Sequence, residues 1–257
     1  MADELRAETF ESGTLLRLVI DRPRGNVLTS SLMAALTREL AAHQGDRSLR
    51  LVVLQGAGGL FSYGASVEEH RRETAPAMLR ALSRLVRQIA FHPTPVAALI
   101  EGRCLGGAFE LALACHLVFA TPDALMGCPE IKLGVFPPVL AALGPWRLGG
   151  ALSDRLLLTG DTISGDDAHR TGFAIHLAGG ADPFAALLDW FRQGPARLSA
   201  AALRNATLAS RRGAEELLGA RIDEMEALYL DRVLASRDGN EGIEAFIERR
   251  PPRWEDA

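Results

Sequence analysis

Over the first two-thirds of the chain, short continuous apolar runs alternate with longer stretches whose apolar residues recur every three or four positions. The run "TLLRLVIDRP" (14–23) ends at a proline and predicts a strand leaving a sheet. "LRLVVLQGAGG", "PVAALIEG" and "HLVFATP" predict further strands, apolar throughout in the manner of strands buried on both faces. Between them, "TSSLMAALTRELAAHQGD" (29–46) carries a Thr/Ser cap, helical spacing at Leu32, Leu36 and Leu40, and a glycine stop; "AMLRALSRLVRQIAFHP" is helical too. Strand and helix alternate four times, which predicts βαβ crossovers in an α/β core. Beyond about residue 180 the strand signals cease, and "DPFAALLDWFRQG", "LSAAALRNATLASRRG", "AEELLGARIDEMEALYLDRVLASRDG" and "NEGIEAFIERR" are all helical in period. A core over 1–193 followed by a helical region over 194–257, packed on that core, is expected.

Composition narrows the function classes. A chain of 257 residues, 48% hydrophobic and 23% charged, can bury a sizeable core. The net charge is −4 and the basic residues are scattered, so no electrostatic footprint for nucleic acid or an anionic membrane is present. A small polyanionic ligand needs only a few local cations and stays open. The three cysteines form no CxxC pair and lie in or beside apolar stretches, which favours reduced thiols. The opening "MADELRAETFESG" has no signal-peptide character, and no run approaches the roughly 18 apolar residues of a membrane span. A cytoplasmic protein is expected.

Three stretches carry candidate chemistry. In "RCLGGAFELALAC" (103–115) a strand meets two glycines and then a buried helix, yet neither GxxxxGK[ST] nor GxGxxG is present, so a nucleotide loop is disfavoured. Free N–H groups at that helix start favour a developing negative charge. Glu110, three residues past Gly107, reads locally either as a capping-box glutamate or as a functional carboxylate. "GLFSYGASVEEH" (59–70) turns at Gly64-Ala65-Ser66 between a strand and an expected helix and offers another free N–H. "MGCPEIKLGVFPPVLAALGP" (126–145) holds Glu130, a loop carboxylate on its own, and Pro137-Pro138 opening a helix.

In combination and order these motifs resemble the crotonase, or enoyl-CoA hydratase and isomerase, superfamily, from "IDRPRGNVLTSSLMAAL" through "FSYGAS", "EGRCLGGAFELALACHLVFAT" and "PEIKLGVFPP" to "EGIEAFIERR". The resemblance implies an α/β spiral of ββα/βαβ turns with a helical C-terminal oligomerisation region, assembled as a homotrimer or a dimer of trimers. It implies that the N–H groups of Ala65 and Gly107 bind a thioester oxygen and that Glu110 and Glu130 are paired catalytic carboxylates. Two donors stabilise enolate charge, while the carboxylates pass protons between water and carbon. Keeping both glutamates favours hydration over isomerisation. The implied substrate is an acyl-CoA thioester, with coenzyme A carried on the substrate and no separate cofactor or metal.

By the same resemblance Arg24 and Arg249 fall where basic residues approach the CoA phosphates, and Phe246 where an aromatic meets the adenine; surface arginines and a core aromatic are the plain alternatives. Ser66 and Val67 follow the oxyanion turn and are expected against the substrate. Tyr63 and His70 are candidates for the acyl pocket, with structural roles as their alternative. The chain departs from the general pattern at Glu68, where a lysine is common, and at Pro138, which replaces a glycine and removes an N–H. With Phe136 and Pro138 reshaping that wall, the motifs look closest to the subgroup that hydrates cyclohexa-1,5-diene-1-carbonyl-CoA in anaerobic aromatic acid degradation. A general enoyl-CoA hydratase, a double-bond isomerase, and a non-catalytic CoA-ester- or RNA-binding protein are the competing readings.

Overall fold

The computed structural model describes residues 4–177 and 182–257. Strands β1 (Leu5–Phe10) and β2 (Leu15–Ile20) form a hairpin, and helix α1 (Ser30–His43) follows, its first turn capped by the Thr29 hydroxyl, which accepts the Leu32 N–H. Next come β3 (Leu51–Gly56), α2 (Ala75–Ala90), β4 (Val96–Ile100), β5 (Arg103–Leu105), α3 (Gly107–Ala114), β6 (Leu117–Ala120) and β7 (Leu125–Gly127). After these lie α4 (Pro138–Leu148), α5 (Gly150–Thr159), β8 (Thr162–Ser164), α6 (Gly165–Arg170) and β9 (Ile175–His176). Four helices complete the chain: α7 (Pro183–Gln193), α8 (Ala200–Arg211), α9 (Glu215–Leu228) and α10 (Arg237–Ile247).

Six strands form one sheet in the order β1-β2-β3-β4-β6-β9, with only the β1–β2 hairpin antiparallel. Side chains alternate across it. Leu16, Leu18, Ile20, Val52 and Leu54 face the large core under α1 and α2, whereas Leu15, Leu51, Val53, Leu99 and Phe119 meet Phe184, Leu187 and Phe191 of α7. Both faces are therefore covered, which is why these strands read as unbroken apolar runs.

A second ladder runs up the other side of each turn. Strands β5, β7 and β8 form a small sheet, and isolated parallel bridges pair Leu28 with Ala65 and Ser62 with Cys104. Successive turns of the spiral thus stack Leu28, Ala65, Leu105 and Gly127 in neighbouring rungs. The expected α/β spiral with a helical C-terminal region is the observed architecture. The hydrophobic rhythm did not reveal β1, whose residues are half-exposed, or the three-residue strands of the second ladder, which are too short to set a period.

Candidate active site

The second ladder determines which backbone donors stay free. Leu28 donates to the Gly64 carbonyl at 2.9 Å and accepts from Ser66 N–H at 3.0 Å, so Ala65 between them turns its own N–H to the opposite side. There it meets the start of α3. A methyl built on Gly107 would lie 3.3 Å from Ala65 N, so the missing side chain leaves the space before that donor open. Among the described residues neither the Ala65 nor the Gly107 N–H has a protein acceptor. Two free donors side by side at a helix N-terminus suit an oxygen that is gaining negative charge. The geometry rests on Gly64 and Gly106, at φ +101° and +53°, where a side chain would strain the backbone. The expected helix after Ser66 is instead a single tight turn, Val67–His70.

Glu110 does not cap its own helix. Gly106, the residue before α3, has no side-chain cap, and Glu110 Oε1 accepts from Val139 N–H at 2.7 Å and Leu140 N–H at 3.0 Å in the first turn of α4. Pro138 opens α4 without an N–H of its own, leaving the next two donors for the carboxylate. The capping-box alternative for Glu110 is thereby removed. Glu130 comes from the short turn Pro129–Leu133 after β7 and presses on the same glycine: a methyl at Gly106 would fall 2.6 Å from Glu130 Oε1.

Burial dominates the electrostatics of the pair. Glu110 is 2% exposed, and Glu130 Oε2 is buried without a hydrogen-bond partner. Desolvation raises Glu110 to about 7, against the two α4 N–H groups that favour its ionised form. Glu130 rises to about 8, through burial and the charge of Glu110. Two carboxylates this close cannot both ionise freely near neutrality, so the pair holds a mobile proton.

A cleft of about 490 Å³ opens onto Glu130 and is lined by Tyr63, Ala65, Val67, His70, Gly106 and Phe246, with Leu105, Leu133, Val135 and Ile243 completing an apolar wall. His70 Nδ1 donates to the Ser66 carbonyl at 2.7 Å, and burial holds its pKa down, so it enters as a neutral ring. Tyr63 is half-exposed and lies on Gly25, where any side chain would overlap its ring. The buried Ser66 gives its hydroxyl to Glu68, which is exposed, and its side chain is thus engaged locally. Gly107, Glu110, Phe136 and Pro138 are not among the lining residues; Phe136 packs 5.7 Å, centroid to centroid, from Tyr229. Arg24 and Arg249 are exposed, both at positive φ, and neither lines the cleft.

Two features escaped the sequence reading. Lys132, two residues past Glu130, brings an exposed ammonium group to the cleft wall. At the far end of α3, Arg147 of α4 donates to the Cys115 carbonyl at 2.9 Å, and Arg211 of α8 donates to the Ala114 and Cys115 carbonyls at 3.3 and 3.1 Å. Cations at the negative end of a helix stabilise it.

A family model described as Enoyl-CoA hydratase/isomerase matches residues 11–257. The chain belongs to that family. Among curated members, a cyclohexa-1,5-dienecarbonyl-CoA hydratase from Thauera aromatica is 43% identical over 95% of this chain and 93% of its own length. A mitochondrial methylglutaconyl-CoA hydratase from Mus musculus is 32% identical over 98% of this chain and 83% of its own. Among solved family members, an enoyl-CoA hydratase from Mycobacterium avium subsp. paratuberculosis superposes with a TM-score of 0.84 at 26% identity, covering 100% of both chains.

Proposed function

We propose that this hydro-lyase adds water to a conjugated cyclic acyl-CoA thioester, converting cyclohexa-1,5-diene-1-carbonyl-CoA to 6-hydroxycyclohex-1-ene-1-carbonyl-CoA. The observation that carries the chemistry is the pairing of two buried carboxylates, raised to about 7 and about 8, beside two unengaged backbone N–H groups. The relative that is 43% identical supports the ring substrate.

In this reading the thioester oxygen sits before Ala65 and Gly107, whose donors take up the charge as electrons leave the double bonds. Removing one such donor from a comparable site costs about 3–4 kcal/mol of barrier. Glu110, held ionised by the α4 N–H groups, takes a proton from water as the oxygen bonds to C2. Glu130 holds the other proton and delivers it to C5, and the remaining double bond moves to C1 and C6. Proton exchange within the pair then restores the starting state. The two carboxylates do all the proton transfer, so the reaction calls for no cofactor beyond the CoA on the substrate.

Lys132 supplies a cation for the CoA phosphates, and Arg24 and Arg249 serve the same end outside the cleft. The exposed Leu208, Leu217 and Leu228 of α8 and α9 support assembly into a trimer or a dimer of trimers through the helical region 194–257. Three free, buried thiols fit a reducing cytoplasm.

The test is turnover of purified protein on the cyclic dienoyl-CoA and on crotonyl-CoA in heavy-oxygen water. Faster hydration of the ring, with label in the product, is expected. Preference for crotonyl-CoA would assign a general enoyl-CoA hydratase, and a shifted double bond without label would assign an isomerase.

A further inference from the structure

After α9 the chain widens into a π-turn over Tyr229–Val233, where the Leu234 N–H reaches back to the Tyr229 carbonyl at 3.1 Å. Such turns shift the face a helix presents and recur at functional sites. Here the turn brings Tyr229 inward between Leu228, which is exposed, and Leu230, which is half-buried. The Tyr229 side chain is 1% exposed, and its ring lies against Phe136 at 5.7 Å. Its hydroxyl is buried with no hydrogen-bond partner.

Buried tyrosine hydroxyls usually find a partner, because desolvating one without compensation is unfavourable. Glu130 Oε2 is a second buried oxygen without a partner. The two belong to one electrostatic environment. Burial and the charges of Glu130 and Glu110 together hold the proton on Tyr229, so it is a neutral hydroxyl able to donate and accept.

We infer that Tyr229 is a specificity-determining residue whose hydroxyl hydrogen-bonds the oxygen that hydration adds to the acyl group, while its ring and Phe136 close the acyl end of the site. The inference rests on the hydratase reading and extends it to a residue of the C-terminal helical region. An unsaturated acyl group offers Tyr229 only carbon, whereas the hydroxylated one offers an oxygen that satisfies it. A site holding a buried polar group discriminates most strongly against the ligand that leaves that group unpaired. Tyr229 therefore favours the hydroxylated thioester over its unsaturated counterpart.

The test is Tyr229→Phe, which removes one oxygen and keeps the ring against Phe136. Steady-state kinetics are measured in both directions, from the dienoyl-CoA and from its hydroxylated product, together with thermal stability. The expected result is a KM for the hydroxylated thioester raised about tenfold, a KM for the dienoyl-CoA within about twofold, and a Tm unchanged or higher because an unpaired buried hydroxyl is gone. Equal affinity for both thioesters in variant and wild type would overturn the inference. So would a lower Tm with both KM values raised together, the pattern of a structural tyrosine. If the wild type turns over only linear thioesters, crotonyl-CoA and 3-hydroxybutyryl-CoA take the place of the ring pair. If it turns over neither, the hydratase reading fails by itself, and equilibrium binding of the same thioesters to wild type and variant decides the role of Tyr229.

Discussion

The carboxylate of Glu110 receives the backbone N–H of Val139 at 2.7 Å, across twenty-nine residues of sequence. One helix thus holds the charge borne by another, and the negative group near the start of α3 is stabilised by the positive end of α4. A glutamine at 110 keeps an oxygen for those donors but has no proton-accepting role. Glu110→Gln is expected to retain thioester binding while kcat falls roughly a hundred- to ten-thousand-fold. Single-turnover kinetics with a parallel binding titration check this; near-wild-type turnover would remove Glu110 from the chemistry.

The carboxylate pair also sets the pH response. Turnover needs one carboxylate ionised and the other protonated, so the kcat/KM profile is expected to be bell-shaped with its maximum between about 7 and about 8. Stability follows from the same shift. Both groups bind protons more tightly folded than unfolded, so their contribution is fully present below the ordinary carboxylate range and is lost as pH rises through the folded values. Unfolding curves for the wild type should show stability declining from about pH 5 to pH 8, and the double variant Glu110→Gln/Glu130→Gln should flatten that decline.

Gly107 tests the oxyanion donors separately from the acids. Alanine there places a methyl 3.3 Å from Ala65 N, in the space the thioester oxygen would occupy. Gly107→Ala is expected to lose roughly a hundred- to a thousand-fold in kcat with little change in Tm, since the position is helical. A variant with full activity would show that no oxygen binds there.

Gly106→Ala should differ in kind. Its φ of +53° and the 2.6 Å approach to Glu130 Oε1 both oppose a side chain, so a loss of about 1–3 kcal/mol in stability is expected along with activity. Chemical denaturation distinguishes the two glycines: only the 106 variant should shift its midpoint strongly.

Lys132→Ala is expected to raise KM for a full CoA thioester, an effect that weakens in high salt. With a truncated pantetheine thioester, which lacks the nucleotide phosphates, the change should vanish. The same rise with both substrates would make Lys132 a wall residue rather than a phosphate partner.

Much of this site could be read from sequence because its parts obey local rules. The strand-glycine-helix passage at 103–115 carries its oxyanion donor in the shape of its own turn, and Ala65 does the same in the turn after Gly64. The partner of Glu110 was not local: nothing near residue 110 indicates that the donors lie at Val139 and Leu140. Tyr229 was hidden for a related reason. In "EALYLDRV" it occupies a position that any large core residue fits, and only the π-turn and the missing hydrogen bond distinguish it. Arg24 and Arg249 were placed by family pattern alone, and within one chain they stand outside the cleft.

Arg211 belongs to the C-terminal helices, yet it grips the carbonyl end of the helix whose other end presents Gly107. A break between residues 193 and 194 would leave the core with α3 unanchored at one end and without Phe246 and Ile243 along the cleft. The core and the helical segment are therefore poor candidates for exchange between relatives. Chimaeras joined there should inherit the specificity of neither parent unless Arg211 and its carbonyl partners are transferred together.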